Sequence, residues 1–285
     1  LGGSKNPSIA AIKLQGRPRT GISYDKANEF CANRGDWITM IDYLEYCALQ
    51  ALCYIEYANF DNQATLNVNL TSDGFKQGGL GAGITNLNWE RWTAFNGNNP
   101  IVQTYWTAEH NIGNGSTNGD HYELGNYNAD GSNLSTYPAI YRGILNFFGD
   151  IWTFIRDVVI INKDKDYNYV HILKKGVNHA DVTKDNVNEK CYLIGCQANT
   201  NNFITEFDFQ RGVYFIPNKV GSNKKADYNW KRGDDGQDTD KAARVLLLGG
   251  RATTGSAAGS GRFDSGLVRS DSYPHVGFFT TVKLD

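Results

Sequence analysis

The sequence lacks the features on which two large classes of partner depend. Its 285 residues carry a formal net charge of only −2. A near-neutral balance argues against bulk binding to nucleic-acid phosphates, which requires a strong positive field. No stretch approaches the ~20 consecutive apolar residues of a membrane-spanning helix. We therefore expect neither a nucleic-acid partner nor membrane insertion.

Several catalytic motifs are also missing. There is no Gly-x-Ser-x-Gly elbow, no glycine loop ending in Lys-Ser/Thr and no Gly-x-Gly-x-x-Gly. The five histidines include no His-x-x-x-His pair, so a zinc site would have to be assembled from distant parts of the chain. Residues 234–240 (Asp-Asp-Gly-Gln-Asp-Thr-Asp) offer oxygen ligands without the bidentate Glu of an EF-hand loop. We expect an acidic surface turn there, with a structural Ca²⁺ as the alternative.

The five cysteines are an odd number, and their positions favour thiols over disulfides. Cys47 and Cys53 lie on one predicted helix, roughly 9 Å apart, beyond the ~7 Å that separates bridged Cα atoms. Cys191 and Cys196 flank Tyr-Leu-Ile-Gly, which could turn, so a bridge there stays open. Reduced, buried thiols are the expectation, and they favour assembly in a cytosol.

The chain opens with residues 1–19, a mixture of Gly, Ser, Pro and basic residues that predicts an arm or connector. Because the first residue is Leu1 and not Met, we expect further chain upstream. Ser23 is a candidate N-cap for a short helix that Gly35 ends. A longer helix is predicted over residues 39–58, with an apolar stripe made of Ile41, Leu44, Ala48, Ala51, Leu52 and Ile55.

The rest of the chain predicts loops and strands. Gly, Asn and Thr dominate up to about residue 138, where we expect long irregular connections. Strand-like runs follow at residues 151–161, 167–173, 212–216, 244–248 and 276–282. This order predicts one α+β domain over residues 20–285. Its long helix should pack on a small twisted sheet that includes the last two of these strands.

The segment between the last two predicted strands stands out. Residues 249–266 are rich in Gly, Ser and Ala, which alone would indicate a flexible linker. Both flanking runs are hydrophobic strands that must be buried, so the segment is held at both ends. It continues through Arg269, Asp271, Tyr273 and His275, and it carries arginines and a tyrosine but no lysine before Lys283. This composition is typical of binding surfaces, and the alternative is a solvated loop whose arginines provide solubility.

We therefore predict that this segment presents one continuous, solvent-facing binding surface. The candidate ligand-binding residues are Arg251, Thr254, Ser256, Arg262, Asp264, Ser265, Arg269, Asp271, Tyr273 and His275. The loops around Trp89 and Trp106 are the next candidate. Trp152 and Phe154, by contrast, alternate along a predicted strand and should share a core-facing side.

Four stretches together resemble one family. The first is Tyr-x-x-Ala-x-x-Phe-Cys-Ala-x-Arg-Gly at 24–35, followed by Trp-x-x-Met-x-x-Tyr at 37–43. The second combines residues 79–87, 96–100 and 113–116. The third, at 141–154, is similar to an Asn-x-x-Gly-Asn-Val-Trp-Glu-Trp signature, and the fourth pairs residues 244–250 with 276–278. Over residues 20–285 the chain thus resembles the C-type-lectin domains of the formylglycine-generating-enzyme type found in phage proteins.

The resemblance implies two helices packed on small twisted antiparallel sheets with long irregular loops. Oxidases of the family use a cysteine pair in the C-terminal part of the fold, and this chain has no cysteine after Cys196. That activity is not carried over, and we predict a protein that is not an enzyme and needs no cofactor. Binding members, including variable proteins diversified by retroelements, place their variable side chains between the last two strands. Ala252 stands where many of them have tryptophan.

The function implied is that of a phage tail or other virion protein, located in the tail or fibre. Its C-terminal surface would bind a bacterial cell-surface receptor, either protein or glycan, and its N-terminus would attach to other virion proteins. A homo-oligomer fits this role. One alternative is a family enzyme that oxidises or hydroxylates its substrate with a metal. Another is a variable lectin-like protein displayed on a bacterial surface.

Overall fold

The computed structural model describes residues 20–62, 122–124, 134–136, 140–142, 144–145, 147–149, 151–162, 168–210, 212–222, 227–231, 243–251, 254, 257–273 and 275–282. The helices are α1 (Tyr24–Ala32), α2 (Tyr43–Tyr57) and α3 (Val187–Lys190), with a 3₁₀ turn at His179–Asp181. The strands are β1 (Ile22–Ser23), β2 (Ile38–Met40), β3 (Tyr122–Leu124), β4 (Leu134–Thr136), β5 (Ile140–Tyr141), β6 (Ile144–Leu145), β7 (Trp152–Asn162), β8 (Asn168–Leu173), β9 (Cys191–Gln197), β10 (Asn202–Gln210), β11 (Tyr214–Gly221), β12 (Tyr228–Trp230), β13 (Arg244–Gly249), β14 (Gly259–Asp264), β15 (Ser272–Tyr273), β16 (Val276–Gly277) and β17 (Thr280–Val282).

One large, mostly antiparallel sheet organises the described residues. Its strand order is β11-β10-β12-β14-β13-β7-β8-β9, with β16 beside β7. The sheet curls until its two edges meet. The N–H of Ala198, just after the edge strand β9, donates to the carbonyl of Pro217 in the other edge strand, β11, at 2.7 Å. This sheet and the helices packed on it confirm a mixed α+β fold.

Strand β13 is buried on both faces of the sheet. Leu246 and Leu248 pack into the cluster that contains the side chains of α2. Val245 and Leu247 point the other way, into the cluster that contains α1. The division follows from the alternation of side chains along a strand, and fully burying one such side chain contributes roughly 1.5–3 kcal/mol. The strand predicted at residues 244–248 therefore holds both layers of the core together.

Strand β7 and helix α1 follow their predictions. Trp152 and Phe154 lie together in the cluster on the α1 side, which confirms that they share a core-facing side. At the start of α1 the side chain of Ser23 accepts a hydrogen bond from the N–H of Lys26 at 3.3 Å. Ser23 is therefore the N-cap, as predicted.

Helix α2 begins at Tyr43, not near residue 39 as predicted. The carboxylate of Asp42 accepts from the N–H of Glu45 at 2.9 Å. The Glu45 carboxylate in turn accepts from the N–H of Asp42 at 2.9 Å. This reciprocal capping box starts the helix. The residues before it form β2, which pairs with β17, so they belong to a small sheet instead.

The predicted buried face of α2 is also wrong. Leu44, Leu52 and Ile55 are exposed. The buried side chains of the helix are Tyr43, Tyr46, Cys47, Gln50, Cys53 and Tyr54. Tyrosines suit this position because the core provides partners for their hydroxyl groups. The hydroxyl of Tyr43, for example, donates to the carbonyl of Phe215 at 2.6 Å.

Strand boundaries differ from the prediction near the C-terminus. The single strand predicted over residues 276–282 is two short strands, β16 in the large sheet and β17 beside β2. Strand β14 lies within the segment between the strands predicted at residues 244–248 and 276–282. That segment therefore contributes a strand of its own to the sheet. Residues 1–19, 79–87, 234–240 and Ala252 lie outside the described residues, as does most of the predicted loop region from 60 to 138. No helix within the described ranges is long and apolar enough to cross a membrane.

A buried carboxylate sets the position of β14. Asp227 accepts hydrogen bonds from the hydroxyl of Tyr54 at 2.9 Å and from the N–H of Gly261 at 2.7 Å. A Cβ added to Gly259 would lie 1.5 Å from one carboxylate oxygen of Asp227, and one added to Gly261 would lie 2.4 Å from the other. The two glycines are therefore required so that the strand can approach the carboxylate.

The stability of the protein should depend on the charge of Asp227. Burial raises its pKa to about 7, compared with ~3.9 in an unfolded chain. Between about pH 4 and about pH 7 the folded protein thus holds a proton that the unfolded chain has lost, and the free energy of unfolding falls as pH rises. Asp227→Asn removes this contribution. Thermal denaturation across that range should show the variant gaining melting temperature relative to wild type as pH rises.

The exposed Asp36 provides the control, because Asp36→Asn is the same substitution at a carboxylate that is not buried. Parallel profiles for wild type and Asp227→Asn would show that Asp227 does not titrate as its burial requires.

All five cysteines are thiols, which confirms the predicted reduced state. A turn between Cys191 and Cys196 does not form, because both lie in the continuous strand β9. Burial raises the pKa of Cys47 and of Cys53 to about 12. Since the thiolate is the reactive form, these thiols should be inert in the folded protein.

A disulfide-exchange reagent should therefore distinguish folded from unfolded protein. Without reductant, the denatured chain should yield all five thiols. In native buffer the partly buried Cys196 should react first, and Cys196→Ser should remove that early phase. A denatured chain that yields fewer thiols would contradict the reduced state.

Candidate ligand-binding site

A cavity of about 820 Å³ opens on the side of the sheet that carries Leu247. Its floor comes from adjacent strands, on which Trp230, Asp264 and Leu247 lie side by side in register. Its rim comes from the chain that follows β13 and the chain that follows β14. Positive φ angles at Gly249 (92°) and Gly250 (82°) turn the chain out of the sheet, a conformation that favours glycine.

Alternation along two short strands supplies the cavity with side chains. Arg262 and Asp264 are two residues apart on β14, so both face the cavity, whereas Phe263 between them is buried in the core on the α2 side. On the neighbouring β12, Tyr228 and Trp230 face the cavity in the same way. The site thus places a cation and a carboxylate between aromatic rings.

Arg262 is the most confined polar side chain of the cavity. It is only 8% exposed, and its guanidinium carbon lies 4.3 Å from the ring centre of Tyr228 and 5.4 Å from that of Trp152. Its Nε has no hydrogen-bond partner within the described part of the chain. Burial lowers the pKa of Arg262 to about 10, and the nearby Asp264 opposes that shift. The side chain remains a cation at neutral pH.

Asp264 is held by its own turn. One carboxylate oxygen accepts from the N–H of Gly266 at 2.7 Å. Burial raises the pKa of Asp264 to about 6, while Arg262 and Arg251 lower it. The carboxylate is therefore ionised at neutral pH.

The rim is organised by a contact between two predicted residues. Nη1 of Arg251 lies 3.0 Å from Nε2 of His275, so the guanidinium donates and the imidazole accepts. Burial, and secondarily Arg251, lowers the pKa of His275 to about 3, so this histidine is neutral at physiological pH. The ring of Tyr273 lies 5.4 Å from that of His275 between centres. Arg251, Tyr273 and His275 thus form one wall.

The structure brings most of the predicted side chains together around this cavity. Its lining includes Arg251, Thr254, Arg262, Asp264, Asp271, Tyr273 and His275. Ser256 lies outside the described residues. The candidates therefore surround a concave site, although they were predicted to form an open surface.

The expectation of full solvent exposure is wrong for three of these side chains. Arg262 and His275 are less than a tenth exposed, because Arg262 is packed between two rings and His275 is packed against Arg251 and Tyr273. Ser265 is fully buried on the far side of the sheet. Its hydroxyl donates to Gln197 at 2.8 Å and accepts from Asn168 at 2.9 Å. Ser265 therefore belongs to a buried polar network and does not face the cavity.

Arg269 is also directed elsewhere. Its guanidinium forms an ion pair with Asp25 on α1, and its carbonyl accepts from the N–H of Asp25 at 3.4 Å. It therefore fastens the C-terminal segment to the first helix. Within the described residues it does not line the cavity.

Sequence reasoning missed part of the site. Tyr228, Trp230 and Arg244 line the cavity, and Trp152, assigned only to the core, lines it as well. The signal available for the first two was the Tyr-Asn-Trp alternation, which is typical of a strand with one aromatic face. Their place beside β14 depends on a pairing between distant segments.

No group of three or more His, Cys, Asp or Glu side chains in the described ranges could hold a metal ion. Residues 234–240, for which a structural Ca²⁺ was the alternative to a surface turn, lie outside those ranges.

No protein-family model matches the chain, and a search of curated proteins returns no match. The family resemblance therefore stays a prediction.

The buried charge of Arg262 should reduce the stability of the empty protein. Taking an ion out of water without a direct ion pair costs several kcal/mol, and the two cation–π contacts and the nearby Asp264 return only part of this. Arg262→Met keeps an unbranched apolar side chain in place of the aliphatic part of arginine and removes the charge. We expect a higher melting temperature for this variant, measured by circular dichroism.

Arg156 provides the matched control, because its Nη2 forms an ion pair with Asp42 at 3.0 Å. Arg156→Met should lower the melting temperature. If both substitutions destabilise the protein equally, Arg262 is a structural cation and not an uncompensated one.

Proposed function

We propose that this protein binds a receptor on a bacterial cell surface through the cavity of its C-terminal segment. We propose further that it has the C-type-lectin fold of the formylglycine-generating-enzyme type and belongs to a phage tail or fibre. The mixed α+β architecture and the four family-like stretches support this fold. In this role its N-terminal arm attaches it to other virion proteins, and copies of the chain assemble together.

The observation that carries the proposal is the convergence of the C-terminal segment on one cavity. Side chains distributed over residues 251–275 meet two aromatic residues of β12 around a volume of about 820 Å³. Ligand sites in proteins typically have volumes of roughly 300–1,000 Å³. Seven of the described lining residues are arginine, tyrosine or tryptophan, the residue types that contribute most to binding energy at interfaces.

The walls are also held in place before any ligand arrives. Tyr273 pairs with Ile22 of β1, and its carbonyl accepts from the N–H of Gly21 at 3.0 Å. Asp271 closes a turn by accepting from the N–H of Val268 at 2.9 Å. A backbone fixed in this way loses little freedom on binding, so more of the contact energy appears as affinity.

Tyr273 offers a direct test, since it is 40% exposed at the rim. Tyr273→Ala should change the stability by no more than ~0.5 kcal/mol. It should weaken binding by ~1 kcal/mol or more if the tyrosine anchors the ligand. The measurement combines a melting temperature with the binding of fluorescently labelled protein to a panel of bacterial strains.

Tyr192 is the matched control, because it is 48% exposed on β9, away from the cavity. Tyr192→Ala should bind cells as wild type does. If wild type binds a strain and Tyr273→Ala binds it equally well, even when combined with Arg251→Ala, the receptor site lies elsewhere. If wild type binds no bacterial strain, the proposed function falls.

A further inference from the structure

The cavity contains a buried cation that forms no direct ion pair with any described carboxylate. The guanidinium of Arg262 is packed between the rings of Tyr228 and Trp152. Within the described ranges its Nε has no hydrogen-bond partner, and no carboxylate forms a direct ion pair with it. Arginine presents its N–H groups as a planar fork that matches a carboxylate, and aromatic contacts fix that plane. A ligand anion in the cavity would pair with the terminal N–H groups of this fork.

The charges that flank the binding position favour an anion with a single charge. Arg262 and Asp264 both face the cavity from β14, one as a cation and one as a carboxylate. A monocarboxylate can pair with Arg262 while presenting only one negative charge to Asp264. A phosphate group, which carries nearly two negative charges at neutral pH, would be repelled more strongly by Asp264.

The remaining contacts favour a ring that carries hydroxyl groups. Asp264 uses one oxygen to accept from Gly266, which leaves the second as an acceptor for a ligand hydroxyl. Trp230 offers aromatic surface beside it. Aromatic faces pack well against the C–H groups of a sugar ring, while carboxylates accept from its hydroxyls. The volume of about 820 Å³ leaves room for more than one such ring.

We infer that the cavity binds a sugar acid, with the ligand carboxylate on Arg262 and a ring hydroxyl on Asp264. This inference rests on the proposed function, because it names the chemical class of the receptor group. The ligand is either an acidic unit of a surface glycan or the free sugar acid.

The test compares two probes that differ only in the carboxylate. Methyl β-D-glucuronoside and methyl β-D-glucoside are titrated into the full chain at neutral pH, and binding is followed by saturation-transfer NMR and calorimetry. The glucuronoside should bind at least about tenfold more tightly, because only it forms the charge-assisted pair. An acidic polysaccharide built from glucuronate units should compete if the source is a glycan and should fail to compete if the site takes only the free acid.

Substitutions of Arg262 test whether this residue causes the preference for the glucuronoside. Arg262→Met should reduce the preference for the glucuronoside to within about twofold. Arg262→Lys should retain only part of it, because lysine keeps the charge without the fork. Arg34→Met, the same substitution at an exposed position, should bind as wild type does. Melting temperatures measured in parallel show that each variant is folded.

Several results would overturn the inference. Equal binding of the two glycosides would exclude recognition of the carboxylate, and binding of neither would exclude the ligand class. Tighter binding of N-acetylglutamate amide would point to an acidic protein receptor instead. The cell-binding assay separates these failures from the proposed function. Cells that bind wild type but not Tyr273→Ala uphold the function without the sugar acid, and glucuronoside binding without cell binding upholds only the ligand class.

Discussion

The position of β14 depends on one buried carboxylate. Asp227 lies where Cβ atoms of Gly259 and Gly261 would otherwise be, and it accepts a hydrogen bond from the backbone between them. The same carboxylate accepts from Tyr54 of α2, so the helix, the sheet and the strand are joined at one point. Burial of an ionisable group is costly unless hydrogen bonds satisfy it. Here that requirement fixes the strand which carries Arg262 and Asp264.

Local sequence patterns predicted those parts of the fold that depend on neighbouring residues. The Ser23 cap, the strand with Trp152 and Phe154 and the strand at Arg244–Gly249 all follow from short-range propensity and alternation. The start of α2 could have been predicted too, because Asp42 and Glu45 have the spacing of a capping box. That signal was hidden because Ile41, which precedes the helix, has the spacing that extends the apolar stripe upstream.

Long-range contacts explain what the sequence could not predict. The buried face of α2 was missed because two stripes with helical spacing compete, and only the core decides that tyrosine hydroxyls find partners. Strand β14 was missed because Gly259 and Gly261 have little strand propensity, and Asp227, which requires them, is more than thirty residues away. Ser265 and Arg262 look alike as exposed polar residues, yet their partners at Gln197 and Tyr228 come from other strands.

The segment 251–275 was predicted as a site from its composition and its place between two buried strands, and both features are local. The aromatic half of the cavity was not predicted, because Tyr228 and Trp230 reach it through a parallel pairing of β12 with β14. Such pairings depend on the whole topology of the sheet. The alternation within β14 itself could be read directly once the strand was known.

That alternation has a consequence for how the chain can change over generations. On β14 the odd-numbered positions, Gly259, Gly261 and Phe263, contact the carboxylate of Asp227 or the core. The even-numbered Arg262 and Asp264 contact the cavity. Under the proposed function, heritable variation at those two even positions would alter what is bound without touching the odd positions that secure the strand. Neighbouring codons of one short strand would then be open to different kinds of change.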